Sequence, residues 1–295
     1  MRAWWLIAVV IAAAACHSDS TSPVTGRVPD VPTGLVGTSL NGAVALVWDD
    51  NAFAADPNGF QNYKVFSTTY TFANNDYLNG QCGSTWKLEG STVAPEFVVG
   101  ALSNGVARCF AVSAVGVDQL ESARSAPRND TPRPDARNVV VFARQVQVAQ
   151  SGFRFWQDLN GDGQVQANEL GLVLSGNSPD ADFSVERFRT APDSLLFQPH
   201  RTGVLLALYD SLPVADLTSI DLAPDPTVPR TPTLDYSPLG ADALPGLGYV
   251  FQLPFGSTVS YGAVRPTHVG DRFVILEWSF QTDPNNPELR KSRKP

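Results

Sequence analysis

The sequence predicts an all-β fold in two domains, and three observations predict it. Glu and Lys, both good helix formers, number only 7 and 4 among 295 residues, while Val, Thr and Phe are plentiful. Short apolar stretches alternate with a period of two, and none keeps a 3.6-residue period beyond about two turns. A Pro-rich, charged stretch at 129–137 (NDTPRPDAR) divides a chain that is long for one ordinary domain. A hydrophobic fraction of 43% allows a packed core, and 23 Gly with 23 Pro fall short of low-complexity composition. The formal charge of −8 argues against nucleic acid as a partner, because a phosphate-backbone binder needs a basic face.

Met1 and Arg2 precede an unbroken apolar run over 3–15, which ends at Cys16. One positive charge before a short apolar run is the layout of an export signal, here residues 1–15. As a helix the run spans about 20 Å, against about 30 Å of bilayer core, so a membrane-spanning helix is not expected. Ala13-Ala14-Ala15-Cys16 resembles the lipobox of bacterial lipoproteins, although Ala13 stands where that family prefers Leu. The resemblance implies cleavage before Cys16, lipid on its sulfur and new amino group, and attachment to a membrane through that anchor. Residues 17–30 are polar and without period, so 16–30 reads as a lipidated tether with a reach of roughly 20 Å. His17 rather than Asp follows Cys16, which by the same resemblance favours the outer membrane or surface of a bacterial cell envelope.

Residues 31–134 form the first predicted domain. Pro32 and Leu35 open it. Alternation over 44–48 (VALVW) places Val44, Leu46 and Trp48 on one face. Residues 63–66 (YKVF) read as a strand, as do 97–99, which Leu102 follows. On the next strand Phe110, Val112 and Ala114 point inward, and 116–125 (GVDQLESARS) supplies a hairpin and a closing strand. Together these residues resemble a fibronectin type III domain, which implies a sandwich of seven strands used as a spacer or binding surface. Arg108 occupies a position where that family carries a core Tyr, which puts the packing of that corner in question. No Arg-Gly-Asp triplet occurs in the chain.

The second predicted domain, 138–285, is another antiparallel sandwich or barrel. Its strands are read at 139–142, 146–148, 153–156, 183–188, 195–197, 204–209, 249–253, 259–264 and 273–280, the last two joined by a turn near 269–272. Residues 286–295 read as a basic, solvated tail.

Cys82 and Cys109 remain in the first domain. An exported compartment is oxidising, so the two are expected to pair, as a surface bridge if Phe110 points inward. The strongest chemical motif is 158–169 (DLNGDGQVQANE), which fits D-x-[DN]-x-[DN]-G-x₅-E at every defined position. Asp158, Asn160, Asp162, Gln164, Gln166 and Glu169 offer hard oxygens around one calcium ion, and Gly163 permits the sharp turn. Val165 is expected to tuck into the core. The segment resembles an EF-hand loop set between strands, which implies a structural ion rather than a sensor.

The catalytic inventory is thin. No nucleophile elbow, zinc-protease, nucleotide or dinucleotide motif occurs, and His200 and His268 read as loop residues. Glu186 and Glu277 fall on predicted strands and could supply the two carboxylates a glycosidase needs, but no spacing rule points to them. Trp86, Trp156 and Trp278, where exposed, are rings that could stack on a sugar, while burial in a core is the commoner fate of Trp. The expectation is an exported, membrane-anchored binding or display module for an envelope polysaccharide or protein ligand. The alternative is a carbohydrate-active enzyme or accessory module of the envelope.

Overall fold

The computed structural model describes residues 26–73, 76–188, 194–224 and 235–289. The signal at 1–15, Cys16, His17 and the basic cluster at 290–294 lie outside them.

The first unit contains β1 (Val36–Leu40), β2 (Ala43–Val47), α1 (Asn51–Ala55), β3 (Phe60–Ala73), β4 (Asp76–Cys82), β5 (Lys87–Thr92), β6 (Glu96–Val99), β7 (Arg108–Gly116) and β8 (Arg128–Asp130). One sheet runs β1-β2-β6; the other runs β4-β3-β7-β8, with β5 also paired to β3. The inward residues of β2, β3, β6 and β7 interlock between the sheets. Val44, Leu46, Trp48, Tyr63, Val65, Phe110, Val112 and Ala114 form one buried cluster, so the period-two reading of these strands holds. Trp48 meets Tyr63 edge-on at 5.3 Å. Residues 120–125 follow β7 as an irregular ribbon, with Ser122 and Ser125 amides bonded to the carbonyls of Ala114 and Val112. At the corner lacking a Tyr, Arg108 instead donates to the Ser67 hydroxyl at 2.9 Å, on a polar outer face shared with Glu89.

The second unit contains β9 (Asp135–Phe142), β10 (Gly152–Trp156), β11 (Leu170–Leu174), β12 (Phe183–Arg187), β13 (Leu195–Pro199), β14 (Leu205–Leu208), β15 (Ala241–Asp242), β16 (Tyr249–Phe255), β17 (Thr258–Val269) and β18 (Phe273–Phe280). Sheets β11-β10-β12-β13-β15 and β14-β16-β17-β18-β9 face each other, antiparallel throughout. Of the two expected architectures, this is the sandwich. Phe153, Phe155, Phe183, Phe197, Phe251, Trp278 and Phe280 fill the space between the sheets. On the back of β16 and β17, Val250, Tyr261 and Ala263 are covered by Leu217, Ile220, Ala223 and Leu289. Among the described residues no helix is long and apolar enough to cross a membrane.

Four expectations change. Residues 146–148 are not a strand: the Val146 and Gln147 amides turn back to the Ala143 carbonyl, and a 3₁₀ turn follows at Val148–Gln150. The second unit begins at Asp135 rather than 138, because β9 pairs with β18 from there. The solvated tail does not begin at 286. Asn286 and Leu289 are fully buried, Glu288 accepts from the Thr131 hydroxyl at 3.0 Å, and the Pro287 carbonyl accepts from the Ala223 amide. Residues 130–134, at the boundary stretch, are buried against this segment, with Arg133 1% exposed. Finally, residues 26–30 of the expected tether lie along the first unit, where Arg27, Pro29 and Asp30 share a small crevice with Ala52 and Phe60.

Candidate functional site

The 158–169 loop leaves the end of β10 and returns through a 3₁₀ turn (Ala167–Glu169) into β11. Gly161 and Gly163 take φ of +76° and +71°, values that L side chains adopt only under strain. The two Asp158 oxygens accept the Gly161 and Gly163 amides at 2.6 and 2.9 Å. Asn160 and Asp162 accept the amides two residues ahead, at 3.0 and 2.7 Å. The Asn160 and Gln166 side-chain amides both donate to Asp162 Oδ2, at 3.0 and 2.8 Å. Glu169 is fully buried. It accepts from the Leu159 amide at 3.0 Å, the Gln166 amide at 3.2 Å and the Trp156 indole Nε1 at 3.3 Å.

The donors are hard oxygens, the chemistry calcium takes. The structure exposes Asn160, Asp162, Gln164 and Gln166, leaves Asp158 half-buried and sets Glu169 at the base of the loop. Among the described residues no three His, Cys, Asp or Glu side chains converge as a metal site. Each carboxylate instead satisfies backbone or side-chain amides. Val165 does not enter the core. It is half-buried in a cleft of about 260 Å³ shared with Asn41 and Asn104 of the first unit and with Trp278. The loop thus borders a cleft shared with the neighbouring unit, which sequence periodicity does not reveal.

A second feature adjoins the loop through Trp156. Strand β10 pairs with β12 only at Gly152 and Phe153, then diverges. Asp182 fills the gap, with Oδ2 accepting the Phe155 amide at 2.9 Å. A cleft of about 530 Å³ opens there, bounded by Arg154, Trp156, Asp182, Arg201 and the β16–β17 turn. Trp156 stacks on Phe255 at 4.8 Å. Arg201 grips Asp182 through Nε and Nη2, both at 2.8 Å, and donates to the Pro254 carbonyl at 3.2 Å. Burial pushes the Asp182 carboxyl up, against the pull of Arg201. Burial lowers the Arg154 guanidinium, Asp182 opposes that, and the neighbouring Arg201 adds to it. Arg154, Asp182 and Arg201 are not evident as a set in the sequence. The signal available was the Phe-Arg-Phe-Trp alternation, which puts Arg154 and Trp156 together on the face opposite Phe153 and Phe155.

Of the carboxylates a glycosidase would need, Glu186 pairs with Arg144 at 3.0 Å on β12. Glu277 lies on β18 between Arg137 at 3.7 Å and Arg265 at 3.5 Å. Neither lines the 530 Å³ cleft. His268 lies tilted against Phe273, with ring centroids 5.6 Å apart. Trp278 is buried, and Trp86 lies near the Arg124 guanidinium, 5.4 Å from its ring. Cys82 and Cys109 are disulfide-bonded with Cα atoms 5.7 Å apart, joining β4 to β7 across β3. The bridge is not at the surface on both sides, since Cys109 is fully buried.

Fold and loop together define an all-β module of two sandwiches. No family model matches the chain. No curated protein matches it. Similar solved structures include a fibronectin type III-like protein from Clostridium thermocellum, at 18% identity and TM-score 0.25, covering 35% of this chain and 92% of that one. A structure named FN3tt has 25% identity and TM-score 0.26, over 36% and 96% of the two chains. A DUF4466 family protein from Parabacteroides merdae has 11% identity and TM-score 0.38, over 88% and 95%. At these TM-scores the likenesses carry no argument about activity or ligand, and the fold rests on the strand pairing itself.

Proposed function

We propose that the protein is an exported lipoprotein of the bacterial cell envelope, a binding and display module whose second sandwich is stabilised by a structural calcium ion. The observation that supports this reading furthest is the 158–169 loop. It places oxygen ligands of the right kind on one short turn, and its last member, Glu169, is rooted in the sandwich beside Trp156. Asp158, Asn160, Asp162, Gln164, Gln166 and Glu169 would hold the ion. Calcium, when bound, supplies positive charge to a turn carrying three carboxylates. The anchor rests on the resemblance around Cys16. The Cys82–Cys109 bridge is consistent with an oxidising compartment.

Two measurements test the reading. Protein expressed with its leader should partition into detergent and incorporate labelled palmitate, and Cys16→Ala should lose both properties. Calcium should bind with a Kd of about 10⁻⁴–10⁻³ M, as extracellular modules do, while magnesium competes poorly. A mature protein without lipid overturns the anchor; a loop that ignores millimolar calcium overturns the ion site.

A further inference from the structure

The 530 Å³ cleft beside β10 has the composition of a ligand site rather than a packing defect. Its volume lies within the usual range for small-molecule pockets. Its floor sets two guanidiniums, Arg154 and Arg201, against one buried carboxylate, Asp182. A second acid, Asp180, stands 3.8 Å from Arg154 and is half exposed, so that pair is a weak one. A guanidinium carries five N–H donors. Arg154 spends Nε on the Trp156 carbonyl at 2.7 Å and one Nη1 hydrogen on the Asp180 carbonyl at 2.5 Å. Arg201 spends three donors, on Asp182 and Pro254. Three donors of Arg154 and two of Arg201 therefore have no acceptor among the described residues. One wall is the stacked pair Trp156 and Phe255, and the rim carries the exposed Ser257.

From this arrangement we infer that the cleft binds an acidic saccharide unit, a sugar ring bearing a carboxylate. The carboxylate meets the unspent guanidinium donors, which suit a planar two-oxygen anion. The apolar face of the ring lies along the aromatic wall, and ring hydroxyls meet the polar rim. Neutral sugars bind more weakly, because their hydroxyl oxygens accept from those donors without the charge that strengthens the bond. This deepens the binding-module reading by naming its ligand class, and it does not depend on the calcium loop or the anchor.

The test is titration of the full chain, purified in detergent, with D-glucuronate, D-glucose and inorganic phosphate, with and without a calcium chelator. Glucuronate should bind at least tenfold more tightly than glucose or phosphate, and raising the salt to 0.5 M should weaken it several-fold, on the order expected for partly exposed charges. Arg154→Gln should weaken glucuronate at least tenfold at an unchanged melting midpoint. Ser257→Trp, at an exposed position on the rim, should block the cleft without touching its floor, and it decides the matter if Arg154→Gln fails to fold. Oligogalacturonate binding more tightly than the monosaccharide would identify a polymer as the source. Equal binding of glucuronate and glucose, phosphate binding as tightly as glucuronate, or full binding by Ser257→Trp would overturn the inference. Any of these results leaves the calcium and palmitate measurements free to succeed.

Discussion

Asp283 is the residue whose surroundings make the sharpest pH statement. Burial pushes its carboxyl up to about 6, and nearby Glu288 adds repulsion, while the Asn286 side-chain amide at 3.3 Å pulls the other way. The folded pKa lies above the ordinary 3.8, so the folded state holds the proton more tightly. The contribution to stability is complete below about pH 4 and is lost as pH rises through about 6. Asp283→Asn should therefore stabilise the protein at pH 7 by about 1 kcal/mol, a figure discounted for the partial exposure of the group. It should change little at pH 4. Paired thermal melts across that range check it, and an equal effect at both ends contradicts it. The Cys82–Cys109 bridge closes 27 residues of sequence. Opening it with Cys109→Ala and Cys82→Ala together should cost about 3.5 kcal/mol in the chain-entropy model, read by denaturant unfolding. Peptide mapping without reduction should show the cross-link, and two alkylatable thiols would refute it. This pairing was legible from compartment and count; the burial of Cys109 was not, because β7 is covered on both faces.

At the scale of elements, the strands with strict alternation were readable because one face of each packs against a second sheet. The alternating residues of β2, β7 and β10 occupy the interior as expected. What escaped was short or irregular. Strand β11 is half-buried along its length, so Leu170–Leu174 shows no alternation to read. The 146–148 stretch has an apolar rhythm but spends its amides on a turn. The loop motif was visible in full, while the place of Val165 in a cleft shared with the other unit was not, since Asn41 and Asn104 lie far from it in sequence. The return of the loop into β11 depends on Gly171. Its φ is +62°, and an added Cβ would lie 2.2 Å from the Trp278 ring. Gly171→Ala should destabilise the protein by about 2–3 kcal/mol through strain and overpacking. Chemical denaturation measures this, and a loss under about 0.5 kcal/mol would show that the ring yields freely.

At the scale of the whole molecule, the two sandwiches meet through buried polar groups. Thr131 binds Glu288, the Gln281 amide donates to the Glu288 carbonyl at 2.6 Å, and Arg133 is enclosed at the same junction. The basic residues after 289 made the C-terminal stretch look solvated from 286 onward, yet Leu289 is 0% exposed within a cluster with Leu217 and Ile220. Leu289→Ala should cost about 2–4 kcal/mol, where a free tail would cost nothing. The outline of two β units was legible in composition and period. The junction was not, because it is built from contacts between residues 130–134 and 281–289 that no local pattern encodes. The proposed calcium site at 158–169 would stabilise the second sandwich. Calorimetric titration of the full-length protein with calcium, paired with thermal melts, tests it most directly. One site should appear, and at ten times its Kd the stability should rise by about 1.4 kcal/mol, with Glu169→Gln weakening the site. No binding heat and an unmoved midpoint in millimolar calcium would show instead that the loop is an acidic turn held by its own hydrogen bonds.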